Sequence, residues 1–266
     1  MIQSRICPVQ GSDFPVEWIP HQKFACFALN VTHIVLPPGE LWFCRLFNQA
    51  LPHVQDEALR QDVKGFIAQE GAHARAHRNI LGDFERQGWD FSVSRARLDR
   101  IFNGLLGDKV LGRWAAGRWQ FRWLRARIGL VAAIEHLTCV LGNWILANEA
   151  IAQAGADPRM LALLRWHGEE EVEHRSVAHD LYLHLGGGYL GRSLWFLVAL
   201  FGILLTWKRG TQVFIRQDVG GPRYYGFKTY IRVSRAGYLP RVSYLIRSTL
   251  RYFNWRYHPE SEVGFQ

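Results

Sequence analysis

Two short motifs, Glu70-Gly-Ala-His73 and Glu171-Val-Glu-His174, decide the fold of this 266-residue chain. Residues three and four apart share one face of an α-helix, so each motif directs a carboxylate and an imidazole to the same side. One Glu-x-x-His motif is common on a solvated helix. Two of them, in separate helical stretches, are typical of bundles that hold a pair of metal ions.

The other two helices of such a bundle each contribute a single glutamate. Glu40 precedes the first motif and Glu135 precedes the second, each beside an apolar stretch. The long connection between the two pairs suits two helical hairpins joined by one crossover. The sequence therefore predicts an all-α, ferritin-like four-helix bundle with an irregular N-terminal arm and extra C-terminal helices.

Each lone glutamate also has a simpler explanation. Glu40 follows Pro37, Pro38 and Gly39, where an acid in the first helical turn is favoured by the helix dipole. Glu135 would be costly to bury alone, and an arginine is an alternative partner to a metal.

Two more histidines lie on the same helical faces. His77 follows His73 by one turn, and His167 precedes Glu171 by one turn. They are either further ligands or groups that orient the ligands. The four glutamates are also the predicted catalytic residues. The predicted metal ligands are Glu40, Glu70, His73, His77, Glu135, His167, Glu171 and His174.

Composition and charge limit the class of protein. A chain with 48% hydrophobic residues can bury a large core. We predict an arm at 1–38, the bundle at 39–188, and an apolar helix with a basic helical extension at 189–266. Four scattered cysteines without a CxxC pair, and an N-terminus without a signal pattern, predict a cytoplasmic protein.

The net charge of +9 is concentrated near the C-terminus. Residues 208–258 contain 11 Lys or Arg against the single acid Asp218, a balance of +10. The stretch has no recognisable motif for reading nucleic acid, so we expect no nucleic-acid partner. The uncharged run before it, residues 193–207, is shorter than the roughly 20 residues of a spanning helix. It predicts peripheral membrane contact through the basic region; the alternative is that helix and arginines pack on the bundle.

Several segments together resemble a known family. They are VTHIVLPPGE at 31–40, FIAQEGAHARAH at 66–77, IEH at 134–136, WHGEEEVEHRSVAHD at 166–180 and YHP at 257–259. The chain resembles, over nearly its whole length, bacterial proteins described as predicted metal-dependent hydrolases. The resemblance implies a metal centre similar to that of ferritin-like di-metal carboxylate proteins.

The ligand types suggest two metal ions, with iron preferred and manganese or zinc as alternatives. A redox-active pair would activate O2, so the sequence favours an oxidase or oxygenase that acts on a small or lipid-like molecule and uses an electron donor. The alternatives are a metal-dependent hydrolase of an ester or amide, and a non-catalytic metal-binding protein. A homodimer is one expected form of assembly.

Overall fold

The computed structural model describes residues 2, 4–9, 11, 13–110, 113–114, 117–221 and 225–261. Four positions of the predicted arm, Arg223 of the basic stretch and the last five residues of the predicted extension lie outside this part.

Helices account for most of the described chain. The α-helices are α1 Lys23–Ala50, α2 Glu57–Arg86, α3 Ser92–Asp99, α4 Arg118–Leu146, α5 Ala150–Gln153, α6 Pro158–Glu173, α7 Val177–His184, α8 Tyr189–Gln217, α9 Phe227–Arg235 and α10 Val242–Tyr252. Short 3-10 turns occupy Leu51–His53 and Pro259–Ser261, and a π-helix occupies Arg100–Leu105. Two short strands, β1 Lys109–Val110 and β2 Arg113–Trp114, pair antiparallel.

The all-α class is confirmed, and the longest helices form a bundle. α1 packs against α2 and α4, while α4 also packs against α6 and α7. The 3-10 turn joins α1 to α2, and α5 lies between α4 and α6. The π-helix and the small hairpin lie in the connection between the pair α1 and α2 and the pair α4 and α6. The ferritin-like arrangement itself stays an expectation.

The first helix begins at Lys23, not at Gly39, so the predicted boundary of the arm at residue 38 falls inside α1. Pro37 and Pro38 suggested a break because proline cannot donate a backbone hydrogen bond and crowds the preceding turn. Instead, α1 continues through both prolines and buries residues on either side of them against α2, α4 and α8. Packing of a long apolar face here outweighs the local cost of the prolines.

The sequence predicts one helix that opens after Asp157 and Pro158 and ends at the glycines 186–188, and the structure divides it in two. It starts at Pro158, where the Asp157 carboxylate accepts hydrogen bonds from Arg159 N at 2.8 Å and Met160 N at 3.2 Å. This N-cap agrees with the sequence. α6 ends at Glu173, and His174 caps it before α7 resumes.

The apolar C-terminal helix is longer than the uncharged run suggested. α8 extends beyond residues 193–207 at both ends and packs against α1 and α4. By length and composition, α4 and α8 are both apolar enough to cross a membrane. In α4, however, 67% of the most apolar window is buried in the bundle, against 17% in α8. α4 is therefore a core helix, whereas α8 exposes one face.

Candidate metal centre

The main bundle helices direct polar side chains into one region of the core. They are Glu40 of α1, Glu70 and His73 of α2, Glu135 of α4, and His167, Glu171 and His174 of α6 and its C-cap. All of them are buried. Each lies within a mostly apolar helix face, so the packing that buries the face also buries the polar group.

Their donor atoms form two groups that share Glu171. The first group is Glu40, His73, His167 and Glu171, and the second is Glu70, Glu135, Glu171 and His174. Within each group the candidate ligand atoms lie within 4.8 Å of one another. Glu171 Oε1 lies 2.6 Å from His167 Nε2, and its Oε2 lies 3.2 Å from His174 Nε2. One carboxylate thus faces both groups, as a carboxylate bridging two ions would.

Several buried candidate ligand atoms make no hydrogen bond with the described residues, although Glu70 Oε1 and Glu135 Oε2 lie within ion-pair distance of His174 Nε2, at 3.4 Å and 3.1 Å. They are both carboxylate oxygens of Glu40, Glu70 and Glu135, and Nδ1 of His73. Polar atoms buried without a partner are rare because losing their hydration is costly. Carboxylate oxygens with imidazole nitrogens suit iron, manganese or zinc. The residues therefore fit metal ions by their chemistry as well as their placement.

Three of the four buried glutamates have pKa values raised far above their usual range. Burial raises the pKa of Glu70 and of Glu135 to about 8, and it raises the pKa of Glu40 well above its usual value. Repulsion from Glu171 adds to the shift in all three. Charged carboxylates so close together are unfavourable in the metal-free protein. A bound cation would favour their charged form and lower their pKa values.

Glu171 differs from the other three. Burial alone would raise its pKa, but hydrogen bonds with His167 and His174 lower the pKa well below its usual value. Burial also opposes the charged form of His174, yet its contacts with Glu135 and Glu171 raise the pKa of His174. In the metal-free protein the protonated imidazole of His174 therefore offsets part of the carboxylate charge that a bound cation would offset.

The structure places His77 and His167 differently. His167 belongs to the first donor group, whereas His77 lies outside both groups. Its Nε2 is 2.5 Å from His167 Nδ1, and its Nδ1 is 2.8 Å from His33 Nδ1. The predicted ligand His77 thus contacts the candidate ligand His167 and belongs to neither donor group.

His33 was missed by the sequence analysis. It lies two helical turns before Glu40, on the same face of α1. That spacing was a usable signal, but the helix was expected to start only at Gly39.

Other missed residues hold the far nitrogens of the ligand histidines. Glu170 Oε2 lies 2.9 Å from His73 Nε2, which leaves Nδ1 of that ring for a metal. Gln69 Oε1 lies 3.1 Å from His174 Nδ1. Such partners fix the orientation of a ligand histidine. The sequence carried no signal for them, because each contact joins α2 to the α6 region.

The simpler explanations for the two lone glutamates do not hold. Glu40 lies in the interior of α1, far from its first turn, so the helix dipole does not explain its position. The carboxylate of Glu135 lies 3.1 Å from His174 Nε2. Its partner in the described chain is therefore a candidate ligand and not an arginine.

A comparison with known families agrees with this geometry. Residues 4–262 match the family model described as predicted metal-dependent hydrolase. The chain belongs to this family. Neither a curated protein nor a solved structure shows significant similarity to it. The family and the two buried groups of metal-ligand type together indicate a metal-dependent protein. The identity of the metal and the number of ions stay predictions.

Proposed function

We propose that the protein is a metal-dependent hydrolase with a dinuclear centre that cleaves an ester or amide. The placement of Glu171 between the two donor groups carries this proposal. A pair of ions bound there would polarise a carbonyl group. It would also lower the pKa of a water molecule in the site to near neutral. The family description favours hydrolysis over the oxidase or oxygenase chemistry that the sequence analysis preferred.

The chain's own residues would orient the centre. Thr138 Oγ1 donates to Glu171 Oε2 at 2.6 Å, while His167 contacts Oε1, so the shared carboxylate is held at both ends. The contacts from His167 to His77 and on to His33 form a continuous hydrogen-bonded chain. These contacts fix the ring orientation of His167, whose Nε2 faces the first donor group.

The experiment uses protein purified without added metal and then loaded with zinc, manganese or ferrous iron. Each form is assayed for cleavage of model esters and amides, and for O2 uptake with a reductant. We expect cleavage that needs metal but not O2. Metal-dependent O2 uptake without cleavage would support the oxidase instead, and neither activity in any loaded form would support a non-catalytic role.

Matched variants connect the activity to the site. Glu171→Gln is expected to remove at least one ion and reduce cleavage at least about 100-fold, because both groups lose a charged ligand. Glu169→Gln changes an exposed glutamate of the same helix and should leave metal content and cleavage unchanged. Full metal content in Glu171→Gln would contradict the ligand assignment.

A further inference from the structure

The outward face of α8 carries an unusual row of exposed apolar side chains. Their exposed fractions are 81% for Leu190, 56% for Leu194, 53% for Leu197, 43% for Val198, 71% for Phe201 and 60% for Leu204. Single exposed apolar residues are normal on a protein surface, whereas a continuous patch marks an interaction site. These six residues are called the α8 stripe.

The stripe is narrow and long. At about 100° per residue, all six side chains fall within an arc of roughly 120°, over about 21 Å of helix. Lys208 lies about five turns after Leu190 and therefore points in the same direction. Lys208 and Arg209 are exposed, so the stripe ends in two exposed cations.

The opposite face of α8 is fastened to the bundle. Trp207 Nε1 donates to the Ala28 carbonyl of α1 at 2.9 Å, and Phe196 is fully buried. The buried Arg192 donates to the Tyr257 carbonyl at 3.0 Å. A helix attached along one face can lie along a membrane surface, but it cannot leave the bundle to span the membrane alone.

α10 lies beside α8 and adds the same kind of surface. The Phe196 and Tyr252 rings stack at 4.3 Å between the two helices, and both helices pack on α4. On its outward side α10 exposes Ile246 and Leu250 by 53% and 65%. Arg247 and Arg251, each next to one of these residues, are also exposed.

The charged residues of the stretch 208–258, which includes Lys208, Arg209 and α10, are almost all positive. The one acid between residues 208 and 258, Asp218, is already 2.9 Å from Lys23 Nζ. A second copy of the chain would bring its own cations against these, which is unfavourable in a symmetric interface. An anionic lipid surface satisfies both the apolar stripe and the cations.

We propose that α8 and α10 form a monotopic membrane-binding surface, in which the α8 stripe inserts among the acyl chains of an anionic bilayer and the cations contact its headgroups. This surface is separate from the metal centre, so the proposal does not depend on the proposed hydrolysis. Of the basic stretch 208–258, Lys208, Arg209, Arg247 and Arg251 lie beside the exposed apolar side chains.

The test is flotation of the full chain with phosphatidylcholine vesicles, with and without phosphatidylglycerol, at low and high salt. We expect binding only to the anionic vesicles, and weaker binding at high salt. Leu197→Gln with Phe201→Gln should weaken binding at least about tenfold, because two inserted side chains are lost. The control Val93→Gln with Trp119→Gln alters exposed apolar residues of α3 and α4 and should bind like the unaltered chain.

A second pair of variants tests the charges. Lys208→Gln with Arg209→Gln should weaken binding by about 25-fold, since each cation near an anionic surface contributes about fivefold to the affinity. Arg78→Gln with Arg100→Gln removes the same charge from other exposed positions and should have little effect. All four variants should keep the thermal melt and metal content of the unaltered chain.

Several results would overturn the proposal. They include no binding to anionic vesicles at low salt, equal binding to neutral vesicles, and unchanged binding of the stripe variant. If size-exclusion chromatography with light scattering showed a dimer that the stripe variant converts to monomer, without vesicle binding, the face would be an interface between two copies instead. If no metal-dependent activity is found in any assay, the proposed function fails, but the vesicle result still stands.

Discussion

The imidazole of His73 shows how this centre depends on more than its ligands. Its Nε2 is occupied by Glu170, and its Nδ1 is buried 3.7 Å from Glu70 Oε1 without a hydrogen bond. A carboxylate on one nitrogen sets the tautomer and makes the other nitrogen a better metal donor. Glu170 itself is held by Arg5, whose backbone N–H donates to its Oε1 at 2.7 Å.

Replacing Glu170 should therefore weaken metal binding without removing a ligand. We expect Glu170→Gln to lower the metal affinity of the first donor group, which contains His73, by about 10- to 100-fold. Losses of this size are typical when the partner of a ligand histidine is replaced. Competition with a chromophoric chelator measures the affinity. The exposed neighbour Glu169 provides the control through Glu169→Gln, and equal affinity in both variants would show that Glu170 does not position His73.

Metal binding should release protons at neutral pH. Because the pKa values of Glu70 and Glu135 lie near 8, both carboxyls are mostly protonated at pH 7 in the metal-free protein. Coordination requires carboxylates, so affinity should rise as the pH increases from about 6 towards 8. Calorimetry in buffers of different ionisation enthalpy measures the protons released. Glu70→Gln should release fewer, and an unchanged count would contradict the protonated state of Glu70.

At the scale of single helices, local sequence rules predicted some boundaries and missed others. The N-cap at Asp157 depends on neighbouring residues alone, and the helix starts where the sequence indicated. The start of α1 depends on contacts with α2, α4 and α8, which outweigh two internal prolines. The ligand motifs were visible because three-residue spacing is local, whereas the role of Glu170 depends on α2.

Close contact between α4 and α6 sets the separation of their ligands. A Cβ atom added at Gly142 would lie 2.9 Å from the Gly168 carbonyl oxygen, and these two backbones meet without side chains between them. Gly142→Ala should push the helices apart and lower the free energy of unfolding by about 1–3 kcal/mol. Metal content should fall as well, because Glu135 and Glu171 separate.

Gly202→Ala is the matched control within a helix. A Cβ atom there meets nothing within 4 Å, so alanine should stabilise the protein by up to about 1 kcal/mol through its higher helix propensity. Urea denaturation of both variants gives the two free energies. A neutral Gly142→Ala with full metal content would show that the two helices tolerate a wider spacing.

At the scale of the whole molecule, charged and titratable groups are concentrated in two places. Carboxylates and imidazoles gather inside the bundle, where they are buried. Cations gather on the C-terminal helices, beside exposed apolar side chains. The sequence predicted both concentrations. It could not predict that α8 exposes its apolar face, because a run of apolar residues gives no direction to the face that tertiary packing leaves uncovered.

The buried charges make the stability of the whole molecule depend on metal. Without cations, four buried carboxylates repel one another or must take up protons. An ion that binds only the folded chain raises the free energy of unfolding by about 2.7 kcal/mol when its free concentration is 100 times the dissociation constant. For a chain of this size, a chelator should lower the melting temperature by roughly 5–10 °C, measured by calorimetry. Glu171→Gln removes the carboxylate that both donor groups share, so its melting temperature should change little with chelator. Glu169→Gln should show the same decrease as the unaltered chain. An equal melting temperature with and without chelator in the unaltered, metal-loaded chain would mean that the buried carboxylates are not compensated by metal.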